Sequence, residues 1–397
     1  MTSHNLRVVH IFNSSVISGP EILVVPSLAK LDIDCTVVWL TEERLRQSQD
    51  VAGYSAHFGL STKALSVRRR FDLRAIRELG EFLRSIAPDI VHAHDVKASL
   101  YALLARKWVP KAKLVSTHHG VRGRSGFVAR AYERIYSHCI LPRFDLSLTV
   151  CGSDKEILER IPRLRGRVQV HWNGIDSPLE NEKEGENPSS QQQAVRERIR
   201  LSWGIPLSPE SLVVGIVGRL AAEKRIDFAL SVFEILVRRN PKLPVTFVIV
   251  GTGPLRNALE RKVVELDLTR QVSFLGYREK FGGEIAGLDV LLSLSRAEGL
   301  PINVLEAGYA RVPVVCTRID GLADLFPSDA GFPALEPEAS SEVLASELAK
   351  LLVSRESRIA IGDSFHDRVK ACFSGDAWRS RLYSLYLEVV RSEMRVR

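Results

Sequence analysis

The sequence predicts an α/β protein of two doubly wound domains, and three observations carry that prediction. Apolar runs of strand length alternate with helical patterns, which calls for parallel strands covered by helices on both faces. The alternation runs once through each half of the chain, and the halves are separated by a polar stretch. The length, 397 residues, suits two or three domains that can each bury a full core.

Taken in order, the first half opens with an apolar strand over 6–13 and a helical pattern over 21–30. Residues 35–39 (CTVVW), β-branched and aromatic, form the next strand, and a helical pattern covers 73–86. Strands follow at 90–93, 114–116, 146–150 and 168–171, with a helix at 98–107. The second half repeats the scheme with valine-rich strands at 213–217, 245–250, 272–275, 290–294 and 314–316. Leu382, Leu385, Tyr386, Val389 and Val390 recur at helical spacing in a final amphipathic helix. Ligands of doubly wound sheets bind beyond the carboxyl ends of the strands, so the residues at those ends are the ones to search.

The boundary is legible. After Trp172-Asn-Gly-Ile-Asp176 comes an acidic, Pro-, Ser- and Gln-rich run to Gln193, which buries too little apolar surface to order itself. The expected division is 1–176, a flexible linker at 177–194 and a second domain at 195–375, with 376–397 as the closing helix.

Composition excludes several classes. Hydrophobic residues make up 45% and charged residues 26%, ordinary for a globular protein. No segment approaches ~20 uninterrupted apolar residues, so no transmembrane helix is expected, and the start leads into a strand rather than a signal peptide. The five cysteines are scattered without a C-x-x-C pair, which favours reduced thiols over a disulfide framework or zinc site. These features point to the cytoplasm.

Charge is unevenly placed. Residues 61–170 carry 22 Lys/Arg against 10 Asp/Glu, an excess of +12, whereas the whole chain is +8, leaving −4 elsewhere. Arg68-Arg-Arg70, Arg106-Lys107, Lys111, Lys113, Arg122 and Arg124 supply much of it. A solvated surface is one reading. An anionic membrane surface on the inner face of the cell membrane, or a phosphorylated acceptor, is the other. Nucleic acid is not expected as a partner, since the basic–aromatic interleaving that single strands need is missing.

Chemistry concentrates in Arg296-Ala-Glu298-Gly-Leu-Pro-Ile-Asn-Val-Leu-Glu306. Glu298 follows the strand at 289–294 and Glu306 sits eight residues on, inside the next helix. Both face one ligand only if Glu298 lies in the loop before the helix begins. Gly299 suits an unusual backbone angle there and Pro301 a first helical turn. The amides of Leu300, Ile302 and Asn303 then become donors at a helix N-terminus, an anion site between two carboxylates suited to hydroxyls. That set fits a sugar nucleotide.

Two more segments accompany it: Val213-Val-Gly-Ile-Val-Gly218-Arg219-Leu220 with Glu223-Lys224-Arg225-Ile-Asp227, and Val248-Ile-Val-Gly251-Thr-Gly253-Pro-Leu-Arg256 with Phe274-Leu-Gly276-Tyr277. In order and spacing the three resemble the family 4 glycosyltransferases of the two-domain GT-B fold, across the whole second half. The resemblance implies two Rossmann-like domains facing across a cleft, with the C-terminal helix returning to the first domain. Arg219 and Lys224 lie just past a strand end, where a guanidinium fork and an ammonium can neutralise a diphosphate as it leaves. Gly251-Thr-Gly253 is half of a dinucleotide fingerprint and reads equally as a tight strand-to-helix turn. In the resembled family that turn borders the nucleotide, and Gly276-Tyr277-Arg278 receives the base.

In the first half the loop Asn13–Glu21 resembles the family's glycine-rich first loop. Gly19 is the glycine present, and Pro20 removes one amide donor while suiting a first helical turn. His92 and His94 fall on one side of their strand, and His118-His119-Gly120 ends the next one. Packed histidines are the plain reading and a metal site is another. In the resembled family such histidines face the site, and His94 and His119 are the choices here, with no metal ligand set assigned.

The resemblance implies retaining transfer from a nucleotide-diphosphate sugar to a glycan or lipid-linked sugar acceptor, as in bacterial surface polysaccharide synthesis, with no cofactor and no metal required. Glu298 would hold the donor sugar and Glu306 the ribose. A nucleotide-sugar epimerase of the same architecture, or an inactive sugar-nucleotide-binding partner subunit, are the alternatives.

Overall fold

Both predicted sheets form, and both are parallel. The computed structural model describes residues 5–15, 17, 19–43, 50–69, 71–119, 132–178, 188–205, 208, 210–278, 281–328 and 331–391. The chain divides into two compact units, Met1–Gly174 with Gly375–Arg397, and Ile175–Ser374. The chain enters and leaves the second unit side by side, since Ile175 bridges Ser374 and donates to the Phe373 carbonyl at 3.1 Å. Of the basic residues singled out above, Arg70, Arg122 and Arg124 lie outside the described residues, as does Gly120.

In the first unit the strands are β1 Arg7–Phe12, β2 Asp34–Glu42, β3 Ser61–Val67, β4 Ile90–His94, β5 Lys113–His118, β6 Leu146–Thr149 and β7 Val168–Val170. They lie in the order β3-β2-β1-β4-β5-β6-β7. The order reverses direction between β1 and β4, which are hydrogen-bonded neighbours and buried along nearly their whole lengths. Strands sandwiched between two helix layers are mostly apolar on both sides, and the buried exceptions here are His10, His92 and His94. Asp72 starts the helix Leu73–Ile86 by accepting from the Arg74 and Ala75 amides, and Ala87 ends it in the left-handed conformation. The helix Gly375–Arg391 belongs to this unit and buries Leu382, Leu385, Tyr386 and Val389.

Sequence reasoning passed over β3 and the helix Val51–His57 before it. The reason is position: β3 is an edge strand that buries only Leu65 and Val67, so no continuous apolar run announces it. A tertiary bond secures the helix, with the Trp39 indole donating to Ser55 Oγ at 2.7 Å inside the core.

The second unit has β8 Leu212–Val217, β9 Val245–Val250, β10 Val272–Gly276, β11 Val290–Ser293, β12 Val314–Thr317 and β13 Ala334–Leu335, ordered β10-β9-β8-β11-β12-β13. Its reversal falls between β8 and β11. The two-residue β13 is too short to read from sequence. Among the described residues no helix is long and apolar enough to cross a membrane.

The segment 177–194 is shorter as a linker than its composition suggests. A helix begins at Pro188 and runs to Ser202, while 179–187 lie outside the described residues. Proline suits a first helical position, and the anchors come later in the helix, where Ile199, Arg200 and Trp203 are buried. Arg200 pairs with Asp289 at 2.6 Å and Arg196 with the same carboxylate at 3.2 Å. Asp289 also accepts the Val213 amide at 2.7 Å, so one buried carboxylate ties the helix to the starts of β8 and β11. Replacing Asp289 with Ala strands two arginines and an amide. We expect a loss of about 3–5 kcal/mol, read as a lower denaturant midpoint in tryptophan fluorescence, with Asp289→Asn losing less.

Candidate functional site

The second unit's reversal point gathers most of the residues that the sequence singled out. After β8 the chain turns at Gly218, whose φ is +149°, and after β9 at Gly251, whose φ is +127°. A Cβ on Gly251 would collide with the Gly218 carbonyl, and one on Gly253 with the backbone of Leu220. The loops are also bonded: Gly218 N to Val250 O at 2.9 Å, Leu220 N to Thr252 O at 2.9 Å and Leu255 N to Leu220 O at 3.0 Å. Both glycines therefore bring backbones together. The Gly251 amide is already spent on Gly276 O at 2.8 Å, so that N–H is taken within the turn.

This packing fixes the turn that follows. Ala222–Lys224 is a short 3-10 turn, not the start of a long helix, and the Arg296 amide donates to Glu223 O at 2.9 Å across the reversal point. Lys224 and Glu298 form a short ion pair there, both side chains largely shielded from solvent. Ser295 Oγ donates to the same carboxylate at 2.8 Å. Arg219 stays outside this pair. Its side chain is 69% exposed and paired with Glu223 at 2.9 Å, and that bond holds the Glu223 carboxyl below its usual range.

Glu306 is built differently. It lies in the helix Ile302–Tyr309, and Gly282 leaves room for its carboxylate where a Cβ would press on Oε1. Its carboxylate has no hydrogen-bond partner among the described residues, and burial raises its pKa to about 7. A desolvated carboxylate without donors is costly, and a hydrogen-bond donor brought to it would lower that cost.

The helix N-terminus matches its expectation in part. Ile302 and Asn303 begin the helix, and their amides have no partner among the described residues. Leu300 is buried and already engaged. The Asn303 side chain donates to Val217 O at 2.8 Å, tying the helix start to the end of β8. Gly299 does not take a positive φ, and the space requirement falls on Gly321, where a Cβ would strike the Gly299 carbonyl. Tyr277 follows Gly276, whose φ is +71°, and is 71% exposed.

In the first unit the structure brings together more than the two histidines chosen. His94 Nδ1 meets His119 Nε2 at 3.2 Å and His94 Nε2 meets His10 Nδ1 at 2.9 Å. Tyr386 Oη bridges His10 Nε2 at 3.1 Å and His92 Nδ1 at 2.6 Å, and His92 Nε2 meets Thr117 Oγ1 at 2.7 Å. Burial pushes His10 down to about 3 and His119 to about 4, and holds His92 and His94 well below the usual range. All four are neutral imidazoles at pH 7. His10, His92 and His94 have ring nitrogens within 4.8 Å of one another, but each of the six nitrogens already has a protein partner. The cluster is a hydrogen-bonded network first.

His10, Tyr386, Asn13 and Asp95 were not chosen from the sequence. A histidine inside the strand Val-Val-His-Ile-Phe was a usable signal, because a polar residue in a doubly buried strand needs a partner. Asp95 follows β4 with φ +89° and ψ 174°, a region nearly reserved for glycine, at a cost of about 1–3 kcal/mol. It caps the helix Val96–Ala105 and accepts the Asn13 amide at 3.3 Å, closing the β1/β4 reversal point. Burial raises its carboxyl to about 7. Asn13 Oδ1 is buried beside it without a partner among the described residues. Gly19 is exposed at the start of the helix Gly19–Leu28, with Pro20 in its first turn.

A doubly wound pair of units with cation, carboxylate and helix amides at one reversal point defines a nucleotide-binding class of protein. Residues 24–177 match Glycosyltransferase Family 4 and residues 211–354 match Glycosyl transferases group 1, so most of the chain is covered. The chain belongs to these group 1 glycosyltransferases of the GT-B fold. It is 24% identical over 257 residues to UDP-Gal:alpha-D-GlcNAc-diphosphoundecaprenol alpha-1,3-galactosyltransferase of Escherichia coli, covering 63% of each chain. It is 27% identical over 312 residues to a sulfoquinovosyl transferase of Arabidopsis thaliana, covering 75% of this chain and 55% of that one. The chain thus spans less than two thirds of either relative. Its fold matches the Anabaena HepE protein, crystallised in complex with UDP, with a TM-score of 0.78, 15% identity and coverage of 96% and 99%.

The state of Glu306 has a measurable consequence. Its pKa in the folded protein, about 7, lies above the ordinary value of 4.5. Between those values the folded state holds the extra proton, so stability falls as pH rises, and the full penalty is present above pH 7. Replacing Glu306 with Gln removes the penalty. We expect the variant to match wild type near pH 4 and to exceed it by about 3 kcal/mol at pH 8, read from denaturant midpoints.

Proposed function

We propose that this chain is a retaining glycosyltransferase that moves a sugar from a nucleotide-diphosphate donor to a glycan or lipid-linked acceptor in surface-polysaccharide synthesis. The observation that carries the reading is Glu306, a shielded carboxylate with no donor of its own among the described residues, one helical turn from the amides of Ile302 and Asn303. A ribose diol supplies the two donors that Glu306 needs, and a diphosphate supplies oxygens for the amides. The names of two relatives agree: one uses UDP-Gal and a diphosphoundecaprenol-linked acceptor, and HepE is crystallised with UDP. A uridine diphosphate sugar is the donor class we assign.

In the unliganded protein the Lys224 ammonium is held by Glu298 and the Arg219 guanidinium by Glu223. A diphosphate competes for both cations. Its oxygens then draw Lys224 and Arg219, while Glu298, still held by Ser295, turns its free oxygen to the sugar hydroxyls. As the anomeric C–O bond lengthens, the sugar gains oxocarbenium character and charge builds on the departing phosphate, where the two cations are most effective. The acceptor hydroxyl attacks from the same face and passes its proton to the leaving phosphate oxygen. Glu298 binds hydroxyls in this reading and is not a covalent nucleophile. Leaving-group neutralisation is assigned to Arg219, Lys224 and the helix amides, with no metal ion required.

Three measurements bear on the proposal. Arg219→Ala and Lys224→Ala should each lower turnover by about tenfold or more, a much larger effect than on melting behaviour. Calorimetry should show Glu306→Gln weakening nucleoside diphosphate binding about tenfold, while Glu298→Gln leaves binding within about twofold and lowers transfer. The reverse pattern would exchange the two roles. Release of nucleoside diphosphate that requires a sugar acceptor separates transfer from epimerisation.

The basic excess in 61–170 leads us to propose peripheral attachment to the inner face of the cell membrane. Several Lys and Arg contacts of about 1 kcal/mol each should bind anionic liposomes at low salt and release at high salt. Equal pelleting with neutral liposomes would assign the charge to an anionic soluble acceptor instead.

A further inference from the structure

We infer that His119 meets its substrate as a hydrogen-bond donor through Nδ1–H, and that Thr117, His92, Tyr386, His10 and His94 are positioning residues that hold it in that tautomer. The substrate half of this rests on the glycosyltransferase reading. The tautomer half stands on the network alone.

Six groups are joined by five bonds in one line: Thr117, His92, Tyr386, His10, His94 and His119. A neutral imidazole carries one N–H and one lone pair, so a histidine that donates on one side must accept on the other. Tyr386 has a single hydroxyl proton and two imidazole partners, so one of them has to donate to its oxygen. A mixed arrangement sets two lone pairs or two protons face to face at one link, or has both imidazoles donate to Tyr386 and leaves its own buried proton without an acceptor among the described residues. Two uniform arrangements remain, with all protons pointing the same way in each.

In the inward arrangement His119 Nε2–H donates to His94, the order runs back to His92, and His92 donates to Thr117 Oγ1. The Thr117 hydroxyl proton then has no acceptor among the described residues, in a residue only 4% exposed. In the outward arrangement Thr117 donates to His92 Nε2, His92 Nδ1–H to Tyr386, Tyr386 to His10 Nε2, His10 Nδ1–H to His94 Nε2 and His94 Nδ1–H to His119 Nε2. Every buried proton has an acceptor, and the line ends on His119 Nδ1–H, which has no protein partner among the described residues. Leaving a buried donor unmade is costly, so the outward arrangement predominates. Burial supports it by keeping all four imidazoles neutral. A histidine fixed this way donates to a sugar hydroxyl or phosphate oxygen. It cannot act as the general base without reversing every proton in the line.

The test uses the intact protein, labelled with nitrogen-15, and long-range proton–nitrogen spectra that distinguish Nδ1–H from Nε2–H. At pH 7 we expect His10, His92, His94 and His119 all as Nδ1–H. Thr117→Val removes the proton that sets the direction, so His119 should shift toward Nε2–H and kcat should fall at least ~tenfold with little change in donor KM. Thr117→Ser should restore both. Tyr386→Phe cuts the line at its middle and should release His119 in the same way, which keeps the test open if one variant folds poorly. Wild-type His119 as Nε2–H or as a cation overturns the tautomer assignment. So does one equivalent of bound zinc lost on His10→Asn, because a metal takes the lone pairs. Expected tautomers with unchanged kcat in Thr117→Val would leave the network standing and overturn the role of His119 at the substrate. Absence of transfer with every donor would instead overturn the reading on which that role rests.

Discussion

The ends of β8 and β9 pass too close together for any side chain, and the second unit's site is built on that closeness. Gly218 and Gly251 take backbone angles that other residues resist, and Gly251 and Gly253 face backbone where a Cβ would go. With the loops in contact, the turn carrying Lys224 is pinned by Leu220 on one side and by the Arg296 amide on the other. Glu298 is then in reach of Lys224. Asn303 reaches back to Val217 and sets the start of the helix that carries Glu306. Cation, carboxylates and amides are thus placed largely by main-chain packing.

Both units keep ionisable groups where water is scarce. Glu306, Asp95 and the imidazoles beside Tyr386 all have pKa values moved toward the neutral form, with burial as the leading cause. The responses differ with the donors at hand. Asp95 is surrounded by amides and caps a helix. The histidines satisfy one another. Glu306 is left with neither, which is unfavourable for folding and therefore a sign that something else selects it.

Legibility followed burial pattern. Central strands such as β8 and β9 are near-continuous apolar runs because both faces are covered, and they were read nearly to the residue, as was β1 despite His10. Edge strand β3 and the two-residue β13 bury little and were missed. The helix at Pro188–Ser202 was hidden by its polar first half, because its anchors Arg200 and Trp203 find their partners, Asp289 and Glu284, some ninety and eighty residues further along. Arg219 and Lys224 looked like an equal pair from their spacing. The fold shields Lys224 against Glu298 and leaves Arg219 at the surface.

By itself the sequence determined the two parallel sheets, the break between them, and the spacing of Lys224, Glu298 and Glu306, since these depend on local pattern and on residues near in the chain. Tertiary structure decided which polar groups meet. Tyr386 reaches His10 across 376 positions and His92 across 294, distances over which no periodicity speaks. It also decided that Asn13 and Asp95 close one reversal point and that Gly251 spends its amide on Gly276. A hydrogen bond needs its two atoms within about 3 Å, and only the folded backbone brings groups so far apart in the chain to that distance.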